Sequence, residues 1–113
     1  GVAPRWHLVR RKRLFTVPGM QWNSEQVIAQ IPDDEQLPPA RVLVYTALVY
    51  HLRNEERWLE NFYAPSSDKV NGRTVCVGYN DGGGLDITLE RDHMPGYKFG
   101  VVTEKKPIPA AVA

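Results

Sequence analysis

The second half of the chain alternates apolar and polar residues in three short runs, and this alternation restricts the fold more than any other feature. Residues 73–79, 85–90 and 97–102 place apolar side chains at every second position, which is typical of strands with one buried face. Asn71-Gly72, ahead of the first run, is a type I′ turn signal. The pattern predicts an antiparallel β-meander of three to four strands.

Residues 39–63 carry apolar side chains at helical spacing and predict one long helix. Val44, Leu48 and Leu52 fall on one stripe, which we expect to face the sheet. The run 42–52 is also compatible with a buried strand, but the helical spacing continues without a turn residue, which favours the helix. The predicted fold class is therefore α+β, with the meander covered on one face by one long helix.

The composition is that of one globular domain. Of the 113 residues, 42% are hydrophobic and 24% are charged, close to the averages of globular proteins. We therefore expect a single domain over 1–113, with flexible ends at 1–4 and 105–113.

The segment between the N-terminus and the long helix carries three local signals. Pro18-Gly19 marks a turn. Asn23 and Gln26 occupy the N-cap and capping-box positions of a short helix. Residues 32–39, rich in proline and acidic residues, predict a rigid connection.

The basic residues are unevenly distributed. Five of the fourteen lysines and arginines lie within residues 1–22, which contain no acidic residue. Charges on both faces of residues 5–17 predict an edge strand or an extended arm, since a central strand cannot bury them. Four of the charges are consecutive: Arg10, Arg11, Lys12 and Arg13.

This basic cluster has four interpretations. It can contact phosphates, with Trp6 and Phe15 available for stacking. It can dock on an acidic protein surface, including the segment Asp33-Asp34-Glu35 of another copy. It also fits a nuclear-localisation pattern, or simply a charged edge that prevents aggregation. The net charge of only +1 disfavours a dedicated nucleic-acid domain.

His51 and Glu55 are one helical turn apart and form a candidate pocket pair. A carboxylate beside an imidazole favours the charged imidazolium, as in an acid–base or ligand-contacting pair. The alternative is a tolerated polar pair where the helix overhangs the sheet. No nucleophile or further ligand is near in sequence, which favours the alternative.

Val42, Leu43 and Tyr50 lie outside the predicted stripe and form a candidate interface. One sheet cannot cover both sets of apolar residues. We therefore expect these three to meet the N-terminal arm or a second subunit, with a dimer favoured over a monomer.

The sequence predicts no cofactor and no metal site. Cys76 is the single cysteine, which excludes an internal disulfide framework and a multi-cysteine zinc site. The loop 81–86 lacks the spacing of an EF-hand and the Lys-Ser/Thr of a P-loop. No apolar run approaches the roughly 18–20 residues of a membrane span, and no apolar segment of a secretory signal follows the basic residues. We expect a cytoplasmic protein.

These features favour a small non-enzymatic interaction or accessory protein that acts through oligomer or partner contacts. Two alternatives remain open. One is a nucleic-acid-binding protein that uses the basic arm, and the other is a small-molecule-binding or catalytic domain with a pocket near His51 and Glu55.

Overall fold

The computed structural model describes residues 7–10, 12–54, 57–81, 84–90 and 97–106. These residues form a five-stranded sheet, a two-stranded sheet, one main helix and one short helix. The elements in chain order are β1 (Phe15–Pro18), a 3₁₀ turn (Gly19–Gln21), α1 (Ser24–Ala29), β2 (Glu35–Gln36), α2 (Ala40–Asn54), β3 (Tyr63–Val70), β4 (Arg73–Asp81), β5 (Gly84–Leu89), β6 (Lys98–Val101) and β7 (Glu104–Lys105).

The predicted α+β class is confirmed, but the predicted meander needs correction. The large sheet has the order β1-β6-β3-β4-β5, and β2 pairs with β7 in the small one. The antiparallel pair β4–β5 is confirmed. The third predicted strand, β6, does not pair with β5; it pairs antiparallel with β1 and parallel with β3. The large sheet is therefore mixed.

The pairing differs because β3 was not predicted. The end of the predicted helix and the residues after it form β3, which pairs with β4 across the Asn71-Gly72 turn. Both turn residues have positive φ, 51° and 78°, as a type I′ turn requires. β3 therefore lies between β4 and β6 and takes the place beside β6 that the predicted meander gave to β5.

The short helix α1 has the predicted start. The Asn23 side chain accepts a hydrogen bond from the Gln26 backbone N–H at 3.1 Å. This cap satisfies one of the donors that the first helical turn leaves unpaired. Pro18 is followed by the 3₁₀ turn, so the predicted change of direction is also confirmed.

The main helix α2 is shorter than predicted. It begins at Ala40, whose backbone N–H donates to Asp68 Oδ2 of β3 at 2.7 Å. Its last residue is Asn54, and residues 57–62 are not helical. The chain changes direction at Leu59, which has a φ of 62°, a value that a helix does not accept.

Helix α2 packs on the sheet with a different face from the one predicted. Leu43 and Ala47 are buried against Ala64 and Val77. Leu48, which we expected to face the sheet, is 56% exposed. Leu48 lies about 100° around the helix from Ala47 and therefore points away from this contact.

The other face of the sheet is also covered, which corrects the prediction of one covered face. Trp22 stacks on Phe99 with ring centroids 4.4 Å apart, and Phe99 packs with the buried Cys76. Tyr79 joins this side, because the β4–β5 register shifts after Gly78. Gly78 itself is required there, since a Cβ would lie 2.0 Å from the carbonyl oxygen of Phe62.

Part of the predicted flexible C-terminus is ordered. Lys105 belongs to β7, and the Lys106 backbone N–H donates to the Asp34 carbonyl at 2.8 Å. Residues 1–4 and 107–113 lie outside the described residues. Within the described ranges, no helix is long and apolar enough to cross a membrane.

Candidate functional site

The N-terminal arm (residues 7–10 and 12–14) lies along the end of the sheet instead of extending from it. Val9 forms a β-bridge with Glu104 of β7, and β1 continues the same path as an edge strand. Three further backbone hydrogen bonds attach the arm: Arg10 N to Thr103 O (2.8 Å), Leu14 N to Val101 O (2.7 Å) and Lys105 N to Leu8 O (3.1 Å).

The arm is also held by an ion pair with a buried carboxylate. The Arg10 guanidinium donates to both carboxylate oxygens of Glu35, one of them at 2.8 Å. Thr103 Oγ1 donates to Glu35 Oε1 at 2.6 Å. The hydrogen bonds from Arg10, acting against burial, lower the pKa of Glu35 to about 2. Of the acidic segment 33–35 that we considered on another copy, Glu35 is thus paired with the arm of the same chain.

A second buried carboxylate lies beside the first. Glu104 is 1% exposed; it accepts a hydrogen bond from Gln36 Nε2 at 3.0 Å and pairs with His7 Nδ1. Gln36 and Glu104 are direct partners in the β2–β7 ladder. Every buried side-chain nitrogen and oxygen of the described residues has a hydrogen-bond partner. These carboxylates therefore attach the arm and β2 to β7, a structural role.

The other arm cations differ in their surroundings. The Arg13 guanidinium carbon lies 4.7 Å from the centroid of the Phe62 ring, a cation–π contact. Lys12 is exposed, and Arg11 lies outside the described residues. Arg10 is thus neutralised by Glu35, whereas Arg13 keeps its full charge because the Phe62 ring carries none. The pairing of Arg10 alone reduces the charge that the arm can offer to a phosphate.

The candidate pocket pair cannot be placed as a pair. His51 is exposed in the last turn of α2, and Glu55 lies outside the described residues. The distance between them, and any pocket that they share, therefore remain a prediction.

The candidate interface residues lie mainly inside this chain. Leu43 is 0% and Val42 is 9% exposed, and the half-buried Tyr50 packs against the same core cluster. Val9 of the arm packs on this cluster too. Two of the three residues that we expected outside the main stripe, Leu43 and Tyr50, thus pack in this cluster together with Val9.

The side of α2 that faces solvent carries a different apolar surface, the α2 stripe, formed by Tyr45, Leu48 and Leu52. Their exposed fractions are 70%, 56% and 80%. Their spacing of three and four residues places them on one helix face over two turns. Single exposed apolar residues are ordinary, but three on the same helix face form a patch of the kind that marks interaction surfaces.

An aromatic cluster lies on the opposite face of the sheet. The ring centroids of Tyr63, Tyr79 and Tyr97 are 4.6 to 5.7 Å apart, so the rings touch and leave no gap for a ligand. The Tyr63 hydroxyl donates to Asp86; burial and this carboxylate raise the pKa of Tyr63. Burial raises the pKa of Cys76 to about 12, so its thiol is not a nucleophile.

A cleft of about 480 Å³ lies between the connection that follows α1 and the strands β3 and β4. Trp22 and Ile31 contribute apolar lining, and Lys69 and Lys106 contribute two cations. Ser66 and Thr74 add hydroxyl groups. Lys106, the residue after β7, is part of its lining.

Two further findings bear on function. The described residues contain no group of three or more His, Cys, Asp or Glu side chains that could hold a metal ion. Comparisons with protein-family models, curated proteins and solved structures found no match.

Two features were not predicted from the sequence: the pairing of the arm with Glu35 of the same chain, and the exposure of the α2 stripe. The first had a signal, because a basic segment and the acidic segment 33–35 belong to one short chain. The periodicity gave no signal for the exposure of the α2 stripe, because α2 is apolar on both sides and the spacing does not indicate which side packs on the sheet.

Proposed function

We propose that this protein is a non-enzymatic interaction protein that self-associates through the α2 stripe. The observation that carries the proposal is the exposure of Tyr45, Leu48 and Leu52 on one face of a two-turn segment. Removing these side chains from water is favourable at about 25 cal/mol per Å² of apolar area. An interface between two copies supplies that burial.

The stripe is suited to a twofold axis. Leu48 lies three residues after Tyr45 and four before Leu52. In an antiparallel pair of helices centred on Leu48, that residue meets its own copy, and Tyr45 meets Leu52 of the partner at both ends. A twofold interface requires this self-complementarity. The pairing of Tyr with Leu also fits helix interfaces, in which aromatic residues supply much of the buried area.

The arm is the weaker candidate for a partner surface. Arg10 is paired with Glu35 within the chain, so phosphate binding would have to displace this carboxylate or rely on the other arm cations. The buried carboxylates beside the arm are fully hydrogen-bonded, which favours a structural over a catalytic role for them.

Sedimentation equilibrium between about 1 and 100 μM tests the proposal on the wild-type chain, Leu48→Glu and Ile87→Glu. Ile87 is a matched control, because it is also 56% exposed but lies on β5. We expect wild-type and Ile87→Glu chains to form dimers and Leu48→Glu to weaken association at least tenfold. A wild-type monomer throughout this range, or equal association of all three, would contradict the proposal.

A further inference from the structure

An ammonium group and a hydroxyl group lie side by side in the lining of the cleft. Lys69 of β3 and Thr74 of β4 are direct partners in the antiparallel β3–β4 pair, and both residues line the cleft. Directly paired residues of neighbouring strands project from the same face of a sheet, with Cβ atoms about 4.5–5.5 Å apart. The two groups can therefore contact one bound group together.

Both groups lack a partner in the part of the chain that the structure describes. No carboxylate there pairs with the Lys69 ammonium. Thr74 is only 3% exposed, yet its hydroxyl makes no hydrogen bond to another described residue, in contrast to its backbone N–H. Since every fully buried polar side-chain atom of these residues has a partner, the Thr74 oxygen is one that the cleft reaches. An acceptor on a ligand would satisfy it.

The indole ring of Trp22 lies next to this pair. Its Nε1–H donates to the Glu90 carboxylate, which also accepts from the Thr74 backbone N–H at 3.2 Å. Glu90 is not part of the cleft lining, and stacking on Phe99 fixes the ring from another side. The cleft thus has an aromatic wall directly beside its two free donors.

The remaining charges of the lining offset one another. Lys106 and Asp33 carry opposite charges, and the charge of Glu35 is paired with Arg10. This leaves Lys69 as the cation that a ligand can neutralise. The volume of about 480 Å³ is within the range of small-molecule pockets, which combine apolar walls with a few polar groups.

From this arrangement we infer that the cleft binds a small aromatic carboxylate. The Lys69 ammonium and the Thr74 hydroxyl each donate to one carboxylate oxygen, and the aromatic body packs against Trp22, Pro39 and Pro65. A phosphate fits less well, because its greater charge and three acceptor oxygens require more donors than these two. The inference is independent of the proposed dimer, since the α2 stripe contributes no residue to the cleft.

Titration of the full chain with naphthoate, followed by amide NMR, tests this site. Naphthamide is the control ligand, because it has the same rings and no charge. We expect naphthoate to shift the signals of Lys69, Thr74 and the Trp22 indole with a Kd at or below about 1 mM. Naphthamide should bind at least about fivefold more weakly. No saturable shift of these signals, or equal affinities for the two ligands, would overturn the inference.

Three variants separate the two donors from charge in general. Lys69→Gln removes the ammonium and Thr74→Val removes the hydroxyl, and each should weaken naphthoate binding at least about threefold. Thr74→Val should unfold like the wild type in urea, because its hydroxyl has no partner to lose. The control is Lys98→Gln, an equal change of charge at an exposed residue of β6 outside the lining, which should leave the Kd unchanged. Equal effects of Lys69→Gln and Lys98→Gln would overturn the inference.

Discussion

The N-terminal arm and helix α2 are the two regions that the sequence marks as candidate contact surfaces, and they differ in what they leave exposed. The arm is strongly charged, yet Arg10 is paired with Glu35 of the same chain. Helix α2 is apolar on both sides, and the side it turns to solvent bears Tyr45, Leu48 and Leu52. In this protein one arm charge, that of Arg10, is paired internally, whereas Lys12 and Arg13 remain exposed, as does the apolar α2 stripe.

The difference has a geometric origin. The arm pairs with β7, which brings Arg10 beside β2 and Glu35. The start of α2 is attached to β3: Ala40 N donates to Asp68, and Ser67 N donates to the Pro38 carbonyl at 2.9 Å. With that end attached to β3, the face of Leu43 meets the sheet and the stripe faces away.

The largest expected difference in stability is between substitutions on the buried and the exposed sides of α2. Leu43→Ala removes a fully buried side chain and should lower the free energy of unfolding by about 3 kcal/mol, within the range for buried leucines. Leu52→Ala removes one that is 80% exposed and should change it by less than about 0.5 kcal/mol at low micromolar concentration. Urea denaturation measures both values.

The effect of Leu52→Ala on stability should depend on protein concentration. If the stripe forms a dimer, the Leu52→Ala effect should grow as protein concentration rises, because association stabilises only the wild type. Similar losses from Leu43→Ala and Leu52→Ala at every concentration would show that α2 packs with another face.

The next effect on stability compares two neighbouring carboxylates: Glu35, which pairs with the arm, and Asp34, which pairs with β7. Glu35→Gln removes the buried charge that pairs with Arg10 and should cost about 2 kcal/mol. This is below the 3–5 kcal/mol typical of a broken buried pair, because the Arg10 side chain is 45% exposed. Asp34→Asn is the control. Asp34 pairs with Lys105 at 2.6 Å, but both side chains are more than half exposed, so we expect no measurable cost. Equal costs for the two variants would mean that the arm is not held by Glu35.

Local signals in the sequence predict local structure well in this chain. Asn71-Gly72 and the Asn23 cap depend on residues within one turn, and both predictions are confirmed. The β3 strand was missed because Pro65 and Asp68 are poor strand formers; pairing with β4 and β6 overrides their preference.

The candidate site was harder to predict than the turns. Which side of α2 is buried depends on the contacts of Leu43 and Ala47 with Ala64 and Val77, residues that are 17 to 34 positions apart in the sequence. The pairing of Arg10 with Glu35 likewise needs β7 between them. Long-range contacts of this kind produce no periodic pattern in the sequence. The sequence therefore indicated a helix and a basic arm, but not which surface of each is buried.

Lowering the pH should release the arm progressively. The pKa of Glu35 lies at about 2 in the folded chain, below its ordinary value of 4.5. A carboxyl with a lowered folded pKa stabilises the fold above the ordinary value, and this contribution disappears as the pH falls from about 4.5 to about 2. We expect wild type to lose about 2 kcal/mol more than Glu35→Gln over this interval. Thermal unfolding at pH 7, 4.5 and 3 measures the difference, and parallel curves would contradict the assigned pairing.

The smallest expected effect concerns Arg13, the second arm cation with a partner in the chain. Its guanidinium lies over Phe62, whose ring packs so closely on Gly100 that a Cβ there would approach it to 2.3 Å. Arg13→Gln removes the cation–π contact and should cost about 0.5–1 kcal/mol, as expected for an exposed pair. Lys12→Gln makes the same change of charge one residue away, at an exposed side chain, and should cost almost nothing. Because both variants lower the net charge equally, a difference in urea denaturation isolates the contact with the ring. Equal values would show that Arg13 acts only through its charge and remains available to an anionic partner, which would return the arm to consideration as a contact surface.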